Sequence, residues 1–77
     1  MTASQSEAIT KETLSNGWIV LRQELVRQGR VVLAHNAENY QPYATWFEGE
    51  TGLSWGHYHD TLARAESDFS NRASRGY

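Results

Sequence analysis

Two glycine-containing turns, each flanked by strand-forming residues, constrain this chain more than any other feature. Gly29 lies in the first turn, and Gly49 and Gly52 bracket a four-residue connection in the second. Glycine readily takes the positive φ that tight hairpins require, and the flanking runs are rich in β-branched and aromatic residues. The pattern therefore predicts two β-hairpins, with strands at residues 18–26, 31–35, 43–48 and 53–58.

A helical pattern follows the second hairpin. Its apolar residues recur at spacings of three or four, which is the period of one helix face. They are Leu62, Ala65, Phe69 and Ala73. Asp60 is a suitable N-cap and Gly76 a suitable stop. The predicted fold class is α+β: a four-stranded antiparallel sheet of two hairpins, with one C-terminal helix packed on one face.

The length of 77 residues and the absence of cysteine allow one domain without disulfides. We assign residues 15–77 to that domain, because residues 15–17 form a turn signal and the polar residues 1–14 predict a flexible N-terminal tail. So short a chain buries a small core, which makes a homodimer a reasonable hypothesis. The sequence contains no run of roughly 20 apolar residues and no signal-peptide pattern, so we expect a cytoplasmic protein with no membrane contact.

The expected strand registers define the expected core. Pairing of Arg27 with Arg30 places Leu25 opposite Val32 and Gln23 opposite Ala34. The first hairpin then buries a face made of Ile19, Leu21, Leu25, Val32 and Ala34.

In the second hairpin, Glu48 opposite Leu53 places Trp46 opposite Trp55 and Tyr43 opposite Tyr58. We expect both tryptophans to form the floor on which the helix packs.

Aromatic residues left outside this core are the candidate binding residues. If Trp46 and Trp55 lie under the helix, Tyr43, Phe47 and Tyr58 lie on the other face of the sheet. Exposed aromatic side chains anchor protein partners at interface hot spots and stack on bases in single-strand binders. The predicted partner-binding residues are therefore Tyr43, Phe47 and Tyr58, with His57 beside them.

Charge favours a protein partner over nucleic acid. The net charge is −2, and every charged side chain between residues 38 and 60 is acidic. An acidic aromatic hairpin repels phosphate, so nucleic acid is an unlikely partner and single-strand binding remains the alternative function.

The histidines raise a metal-dependent enzyme as a third hypothesis. His57 and His59 alternate along a predicted strand and so point the same way, with His35 elsewhere. No HExxH motif, cysteine or nucleophile-elbow serine accompanies them. We favour structural roles for these histidines and predict no catalytic residue, metal or cofactor.

An ordered set of motifs resembles short uncharacterised proteins encoded on integrative and conjugative elements and prophages. The likeness extends from about Gly17 to Arg72. Its motifs are Val32-Leu33-Ala34-His35-Asn36, Pro42-Tyr43-Ala44-Thr45-Trp46, Trp55-Gly56-His57-Tyr58, and Ala65 with Asp68-Phe69. The resemblance implies a mobile genetic element, whose small proteins often block host defence. The leading hypothesis is thus a non-enzymatic protein-binding module that inhibits a host restriction or CRISPR component.

Overall fold

The computed structural model describes residues 12–77 and confirms the α+β fold class. Four antiparallel strands lie in the order β1-β2-β3-β4, and one C-terminal helix, α1, packs against the sheet. The elements are β1 (Ile19–Val26), β2 (Gly29–His35), β3 (Tyr43–Gly49), β4 (Gly52–His59) and α1 (Leu62–Arg75). Within this part of the chain, no helix has the length and apolar character needed to cross a membrane.

Strand β2 is buried on both sides, because each face of the sheet carries its own apolar cluster. On the helix face, Val31 and Leu33 pack with Ala65 and Phe69 of α1. The opposite side, here called the tryptophan face, is covered by residues that precede β1. Its cluster consists of Leu14, Trp18, Val32, Ala34, Ala44 and Trp46. The helix thus packs on the side of the sheet away from Trp46, so the predicted floor for the helix is wrong.

The segment before β1 belongs to the domain from residue 12 onward. The backbone N–H of Val20 donates to the carbonyl of Glu12 at 2.9 Å, and Leu14 is buried. Residues 12–14, which were assigned to the tail, therefore extend the sheet and cover its tryptophan face. The expected flexibility of residues 1–11 lies outside the described residues.

The register of the first hairpin differs from the prediction by two residues. Leu25 pairs with Arg30, and Gln23 pairs with Val32. Gly29 is the first residue of β2 rather than a turn glycine. The position requires glycine because a Cβ there would lie 2.1 Å from the carbonyl oxygen of Glu48 on β3.

The predicted core face of β1 is also wrong. Ile19, Leu21 and Leu25 have exposed fractions of 40, 44 and 74%. A bulge at Leu21, between Val20 and Arg22, shifts the alternation of the strand and turns Val20 toward the tryptophan face.

The second hairpin begins in the predicted register and then departs from it. Glu48 pairs with Leu53 as predicted, but Trp55 and Gly56 together oppose the single residue Trp46. The bulge brings the two strands close together, and only glycine fits at position 56, since a Cβ there would lie 2.4 Å from Nε1 of Trp46. This bulge moves the rest of β4 by one residue.

The predicted pairs beyond the bulge are therefore wrong. Tyr43 lies opposite His59 instead of Tyr58. Trp46 and Trp55 are not a core pair, because Trp46 is buried and Trp55 is exposed.

Helix α1 begins one residue later than predicted and ends where predicted. Thr61 rather than Asp60 is the N-cap, and its hydroxyl accepts the backbone N–H of Arg64 at 3.2 Å. Gly76 is the C-cap with φ of 93°, and its N–H donates to the carbonyl of Arg72. The buried residues of the helix are Ala65, Phe69 and Arg72, while Leu62 is exposed.

Candidate partner-binding site

The four predicted binding residues do not form one surface. Tyr43, Phe47 and His57 lie on the helix face, and Tyr58 lies on the tryptophan face. The expectation that Tyr43, Phe47 and Tyr58 share an exposed face is therefore wrong. The bulge at Trp55 and Gly56 moves Tyr58 to the face opposite Tyr43 and Phe47, and the helix covers the face that carries those two residues.

Two of the four, Tyr58 and Tyr43, stack on or pack against other aromatic rings of the sheet. The Tyr58 ring meets Trp18 and Trp46 edge to face, with both centroid distances 5.7 Å. Tyr43 is partly buried and stacks on His35 at 4.8 Å. These contacts stabilise the two faces of the sheet, and Tyr58 keeps an exposed fraction of 47%.

Trp55 forms the most exposed aromatic group on the helix side of the sheet. Its exposed fraction is 62%, and its ring centroid lies 5.7 Å from Phe47 and 5.8 Å from Tyr77. We call Phe47, Trp55 and Tyr77 the Trp55 cluster. It joins β3, β4 and the end of α1 into one patch.

The backbone of Trp55 is strained. Its φ of 56° makes it the one non-glycine residue with positive φ in residues 12–77. A bulky side chain in this region costs on the order of 1–3 kcal/mol, and strained residues cluster at binding and active sites. The bulge at Trp55 and Gly56 imposes the conformation and turns the indole outward.

A cleft of about 360 Å³ lies beside the cluster. Its lining residues are Trp55, Gly56, His57, Arg72, Arg75 and Tyr77. The guanidinium of Arg75 lies 5.1 Å from the centroid of the Tyr77 ring, which places a cation at the rim. The cleft therefore combines aromatic walls with positive charge.

Asp68 of α1 fixes the position of His57 and of the strand behind it. One carboxylate oxygen, Oδ2, accepts the hydroxyl of Thr45 at 2.6 Å. The same oxygen lies 2.9 Å from Nδ1 of His57 and 3.1 Å from Nε2 of His59. Burial acts to raise the pKa of Asp68, but the hydrogen bonds from Thr45, His57 and His59 together hold that pKa below its usual value.

Arg72 forms the floor of the cleft and is fully buried. Its Nη1 donates to the carbonyl and hydroxyl oxygens of Thr45 at 3.2 and 2.9 Å, and its Nε donates to the carbonyl of Tyr77 at 3.0 Å. Burial lowers the pKa of Arg72, and the charge of Asp68 opposes that shift. Arg72 thereby connects Tyr77 to Thr45 of β3 and helps to position the Tyr77 ring.

The histidines of the metal hypothesis separate into two places. His57 and His59 meet at Asp68, whereas His35 stacks on Tyr43. Among residues 12–77, no group of three or more His, Cys, Asp or Glu side chains is arranged to hold a metal ion.

Sequence reasoning missed four residues of this region: Trp55 as an exposed residue, Asp68, Arg72 and Tyr77. A signal for two of them exists in the helix. Asp68 and Arg72 share the three- and four-residue spacing of Ala65 and Phe69, so they occupy the sheet-facing stripe. Polar side chains at core-facing positions require buried partners, which Thr45 supplies.

These features define a small α+β protein whose sheet is covered on both faces and whose helix side carries an exposed aromatic cluster. Comparisons of the chain with protein-family models, with curated proteins and with solved structures find no match.

Proposed function

We propose that this chain is a small non-enzymatic protein-binding module of the cytoplasm, and that it holds its partner through the Trp55 cluster with His57 at the border. The supporting observation is that Trp55 is 62% exposed while its φ is 56°. The bulge that imposes this strain holds the indole outside the core of the monomer, and an exposed ring held in this way suits a partner that uses the indole.

The composition of the patch matches that of interface hot spots. Tryptophan, tyrosine and arginine dominate such sites, where a large ring fills a partner's pocket and neighbouring groups exclude water. Trp55, Tyr77 and Arg75 supply these three residue types within one cleft. Asp68 holds His57 at its edge, so the border of the patch is rigid before binding.

The test compares Trp55→Gly with Tyr40→Ala. Glycine tolerates positive φ, so Trp55→Gly removes the indole and relieves the strain, and we expect an unchanged or higher melting temperature. Tyr40 is 97% exposed and provides an aromatic control away from the Trp55 cluster. Affinity for a partner isolated with the wild-type chain should fall more than about tenfold in Trp55→Gly and stay unchanged in Tyr40→Ala.

Tryptophan fluorescence gives a second measurement on the same complex. The chain has three tryptophans, and Trp18 and Trp46 are buried, so quenching by acrylamide reports on Trp55. We expect the partner to protect Trp55 from quencher. Equal affinities for wild type and Trp55→Gly, with no protection, would refute this site.

The alternative function, binding of single-stranded nucleic acid, has one supporting observation. Arg75 lines the cleft beside Trp55 and Tyr77, so a base could stack where a phosphate finds positive charge. That function requires affinity for an oligonucleotide that falls steeply with salt and disappears in Trp55→Gly.

The motif resemblance supports a host restriction or CRISPR component as the partner. We propose this class of partner on the resemblance alone. Co-expression with such a component should inhibit it, and Trp55→Gly should abolish the inhibition while Tyr40→Ala preserves it.

A further inference from the structure

We infer that β1 pairs with β1 of a second copy of this chain, forming a two-fold symmetric dimer with one continuous sheet. This surface is independent of the Trp55 cluster, because β1 and β4 are opposite edges of the sheet. The inference therefore goes beyond the proposed function.

Part of the outer edge of β1 has no partner strand among residues 12–77. Residues 12–14 pair with its beginning through the bridge between Thr13 and Ile19 and the hydrogen bond from Val20 to Glu12. From Leu21 to Val26, no other residue of the described chain pairs with this outer edge. An open edge of this kind is a template for another strand.

The sequence of β1 is complementary to itself when read in the opposite direction. From Val20 to Val26 it reads Val-Leu-Arg-Gln-Glu-Leu-Val, a pattern centred on Gln23. Two antiparallel copies related by a two-fold axis at Gln23 place Arg22 of each copy opposite Glu24 of the other. The same register places Leu21 opposite Leu25.

Charge and exposure both select this register. Opposite charges on directly opposed residues stabilise an antiparallel pair, and like charges destabilise it. The axis at Gln23 gives two Arg22–Glu24 pairs, since an isologous interface repeats every contact. Leu21 and Leu25 are 44 and 74% exposed in the monomer, so the same register also covers apolar surface.

The residues between Leu21 and Leu25 carry the ladder. Residues 12–14 occupy the edge only as far as Val20, and the bulge of β1 lies at Leu21. Arg22, Gln23 and Glu24 follow in regular register with β2. The dimer therefore forms without displacing residues 12–14.

A charge-swap series in the full chain tests the dimer by sedimentation equilibrium. We expect wild type to reach twice the monomer mass as concentration rises. Arg22→Glu and Glu24→Arg each place like charges opposite each other, so each should weaken self-association roughly tenfold or more. The double variant R22E/E24R restores opposite charges across the axis and should return the dissociation constant to within about threefold of wild type. Glu50→Arg, an exposed charge reversal in the β3–β4 turn, is the matched control and should leave the mass unchanged.

A second variant keeps the test decisive if a charge reversal perturbs the fold, because Arg22 also lies over the Phe69 ring. Leu25→Lys changes a side chain that is 74% exposed, and a lysine on an edge strand blocks pairing. It should give a folded monomer by circular dichroism. A wild type that stays monomeric at every concentration overturns the inference, as does a dimer that survives both single charge reversals and Leu25→Lys.

Discussion

Three aromatic rings hold the tryptophan face together, and Trp46 is the centre of the group. Trp18 and Trp46 meet edge to face with centroids 5.1 Å apart, and Tyr58 contacts both rings. Edge-to-face pairs add to the free energy gained from burial alone. Only 5% of Trp46 is exposed, so its removal leaves a cavity that its neighbours cannot fill.

We expect Trp46→Ala to lower the free energy of unfolding by roughly 3–5 kcal/mol, a large part of the stability of so small a domain. Urea unfolding followed by circular dichroism measures this loss. Tyr40→Ala, which removes an exposed ring, should change the midpoint little. A Trp46→Ala protein with the wild-type midpoint would show that the ring cluster contributes nothing to stability.

For individual residues, prediction from the sequence failed where a glycine lets its backbone approach an atom of the neighbouring strand β3. Gly29 and Gly56 were placed by their turn and strand propensities, but each lies where a Cβ would collide with a neighbour on β3. Such a contact depends on a residue distant in sequence, so local pattern cannot reveal it. Gly76 was predicted correctly because a helix C-cap is a local feature.

At the scale of elements, Asp68 is the link between α1 and the sheet. Its Oδ2 atom receives hydrogen bonds from β3 and β4 through Thr45, His57 and His59. The ionised carboxylate is the form that these donors stabilise, which is why the pKa of Asp68 lies below 3.8, its usual value. A depressed pKa in the folded state makes ionised Asp68 stabilising above the unfolded-state pKa, and this contribution is lost as pH falls through the folded-state pKa.

Asp68→Asn should therefore be less stable than wild type at neutral pH, by about 1–3 kcal/mol for the charged hydrogen bonds weakened. The difference should shrink as pH falls below about 4, because wild-type Asp68 then becomes protonated. Thermal unfolding of both proteins between pH 2 and 8 measures this. The hydrogen bond from Arg30 also lowers the pKa of the Glu12 carboxylate. Glu12 is present in both proteins, so its contribution to the pH dependence cancels in the comparison. A difference that persists unchanged below pH 3 would refute the role of the Asp68 charge.

The number and order of the elements followed from the sequence, but the side on which the helix packs did not. The turn glycines and the helical spacing are local signals, and they predicted four strands and one helix correctly. The central strand β2 carries apolar residues on both faces, so the strand pattern does not tell which face the helix covers. The bulges at Leu21 and at Trp55 and Gly56 also reverse the alternation of β1 and β4. Consequently Tyr43 and Phe47 were predicted on the wrong side, and Trp55 was missed as the exposed ring.

The whole molecule is a sheet with two cores, and this arrangement distributes stability unevenly among the strands. Val31, Val32, Leu33 and Ala34 of β2 are fully buried, two on each face. Strand β1 is mostly exposed, and β4 carries the exposed bulge. The central strand is therefore protected by contacts that can be lost only when both cores open.

Native-state hydrogen exchange should resolve this gradient. We expect the amides of β2 that bond to β1 and β3 to exchange only through global unfolding, so that their opening free energy equals the free energy of unfolding. Amides near Trp55 and Gly56 should exchange through smaller openings, because β4 is an edge strand interrupted by a bulge. Trp46→Ala weakens the tryptophan face, so it should lower the opening free energy of the β2 amides by the same amount as the free energy of unfolding. The opening free energies of the rapidly exchanging β4 amides should stay nearly unchanged. Equal opening free energies across β2 and β4 in the wild type would mean that the sheet opens as one unit, without this gradient.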